Sequence, residues 1–190
     1  MVYLISGFLR LVKLRREEVR TMDISYIYMI FSFMVGIAYL LLIPKEQYKR
    51  YLLYGITFGS IVDVILVAIL TYMGLLEYKN MGAFSIFGII SSWAPISWGL
   101  TFSIFFYLMP KRKSFLLAYI LSFAALGQII GIVFQNYGLI EYRGRFLLFF
   151  VFLVWYAVAA WAYQRELQFY LLRPAIQKKL HHEDSDDDIL

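Results

Sequence analysis

The stretch "ISYIYMIFSFMVGIAYLLLI", residues 24–43, carries no charged residue and decides the fold. A helix needs about 20 mostly apolar residues to cross roughly 30 Å of hydrocarbon, so this stretch predicts a membrane span. The composition agrees, because 62% of the 190 residues are hydrophobic and only 16% are charged, whereas a soluble domain is about a quarter charged. A lipid bilayer is therefore the expected solvent and partner of the chain.

Four more apolar runs follow and predict an all-α, polytopic transmembrane helix bundle of five spans. The runs are continuous rather than alternating, which excludes β-strands and sheets, and their short connections predict antiparallel neighbours. Tyr and Trp near the span ends, such as Tyr72, Tyr78, Tyr137 and Tyr163, predict aromatic belts at the membrane interfaces. The predicted membrane domain covers residues 24–163, with spans at about 24–43, 51–76, 84–109, 115–134 and 146–163.

The two ends of the chain are polar and are predicted to lie outside the bilayer. Residues 1–23 put apolar side chains on one helical side and basic ones on the other, which predicts an interfacial helix on anionic headgroups; a partner-binding helix is the alternative. Residues 164–190 form a polar, acidic tail. His181 and His182 precede several acids there, but adjacent histidines in a tail lack fixed geometry, so we predict no metal site.

A short motif occurs twice, 64 residues apart: "GLLEYK" at 74–79 and "GLIEYR" at 138–143. Each copy follows an apolar run, and a Pro-Lys or Pro-Lys-Arg loop begins each of the preceding runs, at Pro44 and Pro110. This pattern predicts parallel duplication of a two-helix unit. Glu77 and Glu141 at the turns are interpreted as headgroup-level caps, with a cation or ligand site shared by both acids as the alternative.

Basic residues give a weak topological signal. Counted with the chain ends, the side of the Pro-Lys loops and the C-terminal tail holds ten Lys or Arg, and the side of the Glu-Tyr loops and the N-terminal segment holds eight. The loops alone hold six against three, so the Pro-Lys loops and the C-terminus are predicted to be cytoplasmic.

Asp63 is the most informative polar residue, because it falls near the middle of the second predicted span. A carboxylate at this depth in the membrane costs several kcal/mol of insertion free energy, so such residues usually face a bundle interior. The predicted spans contain no Lys, Arg or His, so Asp63 has no cationic partner from another span. Three interpretations stay open: a neutral acid bonded to a neighbouring helix, a proton or cation site, or a position closer to the interface.

Other polar residues are predicted to lie near Asp63 in the membrane. Ser60 shares a helical stripe with Asp63, and Gly55 and Gly59 form a GxxxG face just before it. In the third span, "SSWAPISW" predicts a kink at Pro95, with Ser92 able to satisfy backbone groups.

Gln128 lies beside a second GxxxG pair, Gly127 and Gly131, and one residue beyond the repeat equivalent of Asp63. The sequence thus predicts an intramembrane polar centre whose members are Asp63, Ser60, Ser92 and Gln128.

The Pro-Lys loops and Glu-Tyr turns resemble a family of small five-span integral membrane proteins from spore-forming Firmicutes. The turn most similar to the family pattern is Glu141-Tyr142-Arg143-Gly144-Arg145, with Arg143 where the family often has proline. The likeness covers roughly residues 24–163. It implies a multi-pass protein of a bacterial inner membrane and transfers no activity.

The sequence contains no nucleotide loop, no zinc-protease or esterase motif and no cysteine, so we predict no enzyme, no catalytic residue and no cofactor. No basic stripe interleaved with aromatics indicates nucleic-acid binding. The first functional hypothesis is a non-enzymatic membrane component that forms a homo-oligomer or joins a membrane-protein partner. The alternative is a small proton- or cation-coupled transporter or channel subunit that uses Asp63.

Overall fold

The computed structural model describes residues 24–110, 112–144 and 146–186, and side chains as far as residue 166. Over these residues it is predominantly helical. The helices are α1 (Ile24–Leu42), α2 (Lys45–Tyr72), α3 (Trp93–Tyr107), α4 (Lys113–Asn136) and α5 (Leu147–Asp186). Short strands are β1 (Leu76–Tyr78), β2 (Ser85–Ile86), β3 (Ile90–Ser91) and β4 (Ile140–Tyr142). The predicted interfacial helix at 1–23 lies outside the described residues.

Within the described part of the chain, four helices are long and apolar enough to cross a membrane: α1, α2, α4 and the segment Leu147–Glu166 of α5. At most 39% of the residues in their most apolar stretches are buried inside the protein. Large apolar side chains such as Phe33, Leu41 and Val154 therefore point outward, as expected for surfaces in contact with lipid.

The third predicted span is wrong in its first nine residues. Residues 84–92 form a 3₁₀ turn and the β2–β3 hairpin, and α3 begins only at Trp93. Its 15 residues measure about 22 Å, which is short of the hydrocarbon thickness, so five spans are not confirmed. Glycine favours this break, because Gly88 takes a left-handed φ of 71° at the hairpin turn.

Helix α3 is instead the core of the bundle, with nine of its residues buried. Phe102, Phe105 and Phe106 are almost inaccessible and stack against aromatic rings of α4 and α5. Phe102 and Tyr156 are 4.5 Å apart between ring centroids. Several aromatics predicted for the interface belong to this core, including Tyr163, which packs on Phe106; Tyr72 and Tyr137 are exposed.

Both glycine pairs lie at contacts between helices. A Cβ atom at Gly59 would stand 2.4 Å from the carbonyl oxygen of Trp98, so α2 and α3 touch through their backbones. A Cβ atom at Gly127 would stand 2.5 Å from the Phe152 ring, so the Phe152 side chain of α5 packs directly against the backbone of α4. The close-packing role predicted for these pairs is confirmed.

Helix α2 contains a π-helical turn over Ile56–Ile61, immediately before Asp63. Such turns add a residue to the helix, and they are frequent at functional sites. The carbonyl oxygen of Phe58 in this turn accepts a hydrogen bond from the Trp155 indole at 2.6 Å. This bond fixes α5 against α2.

The repeated motifs end α2 and α4 in the same way. Gly74 and Gly138 adopt left-handed φ values of 65° and 68°. The following Leu75 and Leu139 amides donate back to the carbonyls of Leu70 and Phe134. Both ends are therefore Schellman caps, and the glycine of each motif supplies the required backbone conformation.

Strands β1 and β4 pair antiparallel, with Glu77 opposite Glu141. Two backbone hydrogen bonds flank this pair: the Lys79 amide donates to the Leu139 carbonyl, and the Arg143 amide donates to the Leu75 carbonyl. Lys79 and Arg143 occupy the same position in the two motifs, and so do Leu75 and Leu139. The two motifs are thus related by a local pseudo-two-fold axis. The prediction that the chain contains no strands was wrong for these segments. Each motif is too short to show an alternating strand pattern, and the strands form only because the two distant motifs pair with each other. We call the β1–β4 pair the ribbon.

Helix α5 continues through Asp186, across most of the segment predicted to be a polar tail. Gln, Glu, Leu and Lys in this region favour a helix by their propensity, whereas Pro174, inside the same helix, opposes it.

The ribbon register can be tested by disulfide formation, because the natural sequence has no cysteine. Glu77→Cys combined with Glu141→Cys should form an intramolecular disulfide on mild oxidation, since directly opposed residues have Cα atoms about 5.5 Å apart. The readout is a mobility shift on a non-reducing gel. Glu77→Cys with Glu46→Cys is the matched control, because the length of α2, roughly 40 Å, separates those positions. Equal crosslinking of both pairs, or of neither, would disprove the register.

Candidate functional site

A small chamber lies around Asp63, where α1, α2, α3, α4, α5 and the ribbon meet. Its volume is about 50 Å³, and its walls are mostly apolar and aromatic. The rings of Tyr28, Tyr78, Trp98, Phe134, Phe152 and Trp155 contribute to them.

Asp63 is 2% exposed and lies on the chamber wall. Its Oδ2 atom is buried and has no hydrogen-bond partner among the described residues. An unpaired buried oxygen of this kind costs about 1–3 kcal/mol, and more if the group is charged. Burial at this position therefore opposes folding unless a ligand or a proton satisfies the group. The burial of Asp63 agrees with the orientation toward the bundle interior that the sequence predicts.

The hydroxyl groups near Asp63 are mostly committed elsewhere. The Tyr28 hydroxyl donates to the backbone carbonyls of Leu139 and Lys79 and so ties α1 to the ribbon. Ser97 donates to the Trp93 carbonyl at 2.8 Å, and its Oγ is 2.5 Å from that of Ser32. These bonds join α1 to α3. The Oδ2 atom of Asp63 is the one buried side-chain oxygen of the chamber wall that has no partner among the described residues.

Tyr78 brings the ribbon to the chamber. The pKa of its phenol is raised well above the usual value, first by burial and then by the nearby Asp63 carboxyl and Tyr28 hydroxyl; a hydrogen bond with Trp98 acts in the opposite direction. Tyr78 therefore stays neutral over the physiological pH range. It provides a polar but uncharged neighbour for Asp63.

The predicted polar centre is only partly assembled. Ser60 donates to the Pro95 carbonyl at 2.7 Å and joins α2 to α3. Ser92 is the residue before α3, and its amide bonds to the Phe84 carbonyl. Neither serine lines the chamber, whereas Ser97 does.

Gln128 has a structural role away from the chamber. Its Oε1 accepts a hydrogen bond from the Phe149 amide at 2.8 Å, and its Nε2 lies 3.3 Å from the Tyr142 hydroxyl. Phe149 is in the first turn of α5, where backbone amides have no helical acceptor. Gln128 therefore caps α5 from the side. Gly127, one residue earlier and at the repeat equivalent of Asp63, is the residue that lines the chamber.

The predicted kink at Pro95 is wrong. Because α3 begins at Trp93, Pro95 falls in its first turn, where the missing amide hydrogen would have had no acceptor in the helix. Proline here starts the helix rather than bending it.

Glu77 and Glu141 are brought together by the ribbon, as opposed residues on one face. Lys79 lies between them, with its Nζ atom 2.8 Å from Oε1 of Glu77 and 3.5 Å from Oε2 of Glu141. The pKa of Lys79 is raised, mainly by its hydrogen bond to Glu77. These side chains are substantially exposed, so the ion pairs contribute little to stability.

A polar groove of about 590 Å³ lies beside these acids. Leu76 borders both this groove and the Asp63 chamber, so the ribbon separates a polar space from an apolar one. The sequence located both acids, but the groove depends on the pairing of the strands.

No group of three or more metal-ligating His, Asp or Glu residues is present within the described residues. Comparisons with protein families, with curated proteins and with solved structures found no match.

Proposed function

We propose that this protein is a multi-pass membrane protein that binds a proton or a small cation at Asp63, as a small coupled transporter or channel subunit. The observation that carries the proposal is the buried Oδ2 atom of Asp63, which has no partner among the described residues and lies on the wall of a chamber. Buried acids in membrane bundles that lack partners are typical of ion and proton pathways.

The packing of the glycines supports this function over assembly with a partner. Gly55 and Gly59 contact α3, and Gly127 and Gly131 contact α5, within the same chain. Faces used in this way are not free to bind a second protein. The hypothesis of a membrane assembly partner then depends on the lipid-facing surfaces and the termini.

The geometry of the ribbon supports an origin by duplication of a two-helix unit. The units would be α1–α2–β1 and α3–α4–β4. The repeated caps, the repeated strands and the exchanged bonds between Lys79 and Leu139 and between Arg143 and Leu75 all follow one offset of 64 residues. Asp63 corresponds to Gly127 under this offset, so one unit has a carboxyl group where the other has a glycine.

Charge supports an orientation in a bacterial inner membrane. The Pro-Lys loops hold six basic residues against three in the Glu-Tyr loops. With the Pro-Lys loops and the C-terminus in the cytoplasm, the ribbon and its acids face the opposite side.

Asp63→Asn tests the function. Purified protein in sealed vesicles is given gradients of protons, Na⁺, K⁺ or methylammonium, and internal pH and cation uptake are followed. The natural protein should show flux of at least one of these ions, and the variant should lose it, since an amide carries neither charge nor titratable proton. The unfolding temperature should stay within a few degrees.

Glu46→Gln makes the same chemical change at an exposed carboxyl group and should leave flux unchanged. Equal flux through the Asp63→Asn variant, or no flux of any of the four ions through the natural protein, would contradict the proposal.

A further inference from the structure

The walls of the Asp63 chamber indicate which kind of cation would fit. Metal cations need several oxygen ligands: Ca²⁺ takes six to eight, and K⁺ is held by rings of carbonyls. The side chains that line the chamber supply at most five oxygen atoms, two from Asp63 and one each from Tyr28, Tyr78 and Ser97. That is fewer than Ca²⁺ takes, and it is not a ring of carbonyls.

Aromatic rings supply a different kind of attraction. Seven aromatic residues, including Phe31, line the chamber, and two of them are the tryptophans Trp98 and Trp155, whose ring centroids are 5.9 Å apart. An ammonium group is drawn to ring faces, most strongly to those of tryptophan, and the interaction is strengthened when water is excluded. Its N–H groups also donate to a carboxylate. The chamber therefore offers an ammonium cation both kinds of contact.

The size of the chamber limits the ligand. A protein cavity of about 150 Å³ accommodates benzene. The Asp63 chamber has only about 50 Å³. Ammonium and methylammonium fit this space, and a quaternary amine does not unless the walls move.

We propose that the Asp63 chamber binds ammonium or a small primary alkylammonium through the carboxyl group and the surrounding rings, in preference to metal cations. This inference rests on the proposed function and names its ligand class.

The experiment uses the full chain in vesicles of phosphatidylethanolamine and phosphatidylglycerol, with methylammonium, tetramethylammonium, Na⁺ and K⁺ as probes. Tryptophan fluorescence and radiolabelled uptake report binding and transport. Methylammonium should give a saturable response that ammonium competes away, and tetramethylammonium, Na⁺ and K⁺ should give none. Asp63→Asn should abolish the response.

Trp98→Phe provides a second variant that keeps an aromatic ring and the Asp63 carboxyl. It should weaken methylammonium binding about three- to tenfold, because phenylalanine attracts cations less strongly than tryptophan. Trp161→Phe, at an exposed position on α5, is the matched control and should leave binding unchanged.

The outcomes separate the two proposals. An Asp63-dependent response to Na⁺, K⁺ or protons without one to methylammonium would overturn the ligand class and leave the proposed function standing. Lack of an Asp63-dependent response to every ion would overturn both. A methylammonium response that Asp63→Asn does not alter would place the site elsewhere and also overturn both.

Discussion

Gly59→Ala is expected to lower the free energy of unfolding by about 3 kcal/mol. A Cβ atom there would stand 2.4 Å from the Trp98 carbonyl oxygen and 2.8 Å from the Gly99 Cα atom. Both are backbone atoms, so the overlap is relieved only by separation of α2 from α3. Overpacking typically costs 1–3 kcal/mol, and the rigid neighbours here place the cost at the upper end of that range.

The measurement is the unfolding transition in detergent micelles, followed by near-ultraviolet circular dichroism. Gly36→Ala is the matched control, since its Cβ would be 3.8 Å from Leu100 Cδ1, an ordinary contact. Because alanine has the higher helix propensity, this control should be neutral or slightly stabilising. Equal effects of the two variants would show that the α2–α3 backbone contact is not formed.

Asp63→Leu is expected to raise the free energy of unfolding by about 1–3 kcal/mol while abolishing ion flux. The substitution removes a buried oxygen that has no partner within the described residues and places an apolar side chain against an apolar wall. Replacing an unsatisfied buried polar group by an apolar one removes its desolvation cost. A residue retained at such a cost to stability is typical of a functional site.

Tyr28→Phe is the contrasting variant, because it removes a buried hydroxyl whose partners are the Leu139 and Lys79 carbonyls. It should destabilise by about 1 kcal/mol. Chemical denaturation of both variants in the same micelles makes the comparison. A loss of stability on Asp63→Leu similar to that of Tyr28→Phe would favour the structural interpretation, in which the carboxyl group bonds a neighbouring helix.

The sequence was most informative where one local property decides the structure. Length and apolarity identified four helices that can span a membrane, with bounds close to those observed. Spacing along α2 placed Asp63 in the interior, and the GxxxG pattern located both glycine contacts. These features depend on the period of a single helix, which is readable from neighbouring residues.

The same reasoning failed where contacts with distant residues decide the local structure. The residues 84–92 are as apolar as a span, yet they form a hairpin beside a short central helix. Gln128 looked like a member of the polar centre, but the Phe149 amide, 21 positions along the chain, takes its oxygen. Neither partner is signalled by local sequence.

By itself, the sequence determined that four helices are long and apolar enough to cross a bilayer, that two glycine faces pack closely and that a lone carboxyl group is buried. Only the tertiary structure decided that α3 is the core, that the repeated Glu-Tyr motifs pair as a ribbon and that Asp63 faces an aromatic chamber. The reason is physical: transfer from water to lipid is set residue by residue, whereas a cavity and a strand pair exist only when segments distant in sequence meet.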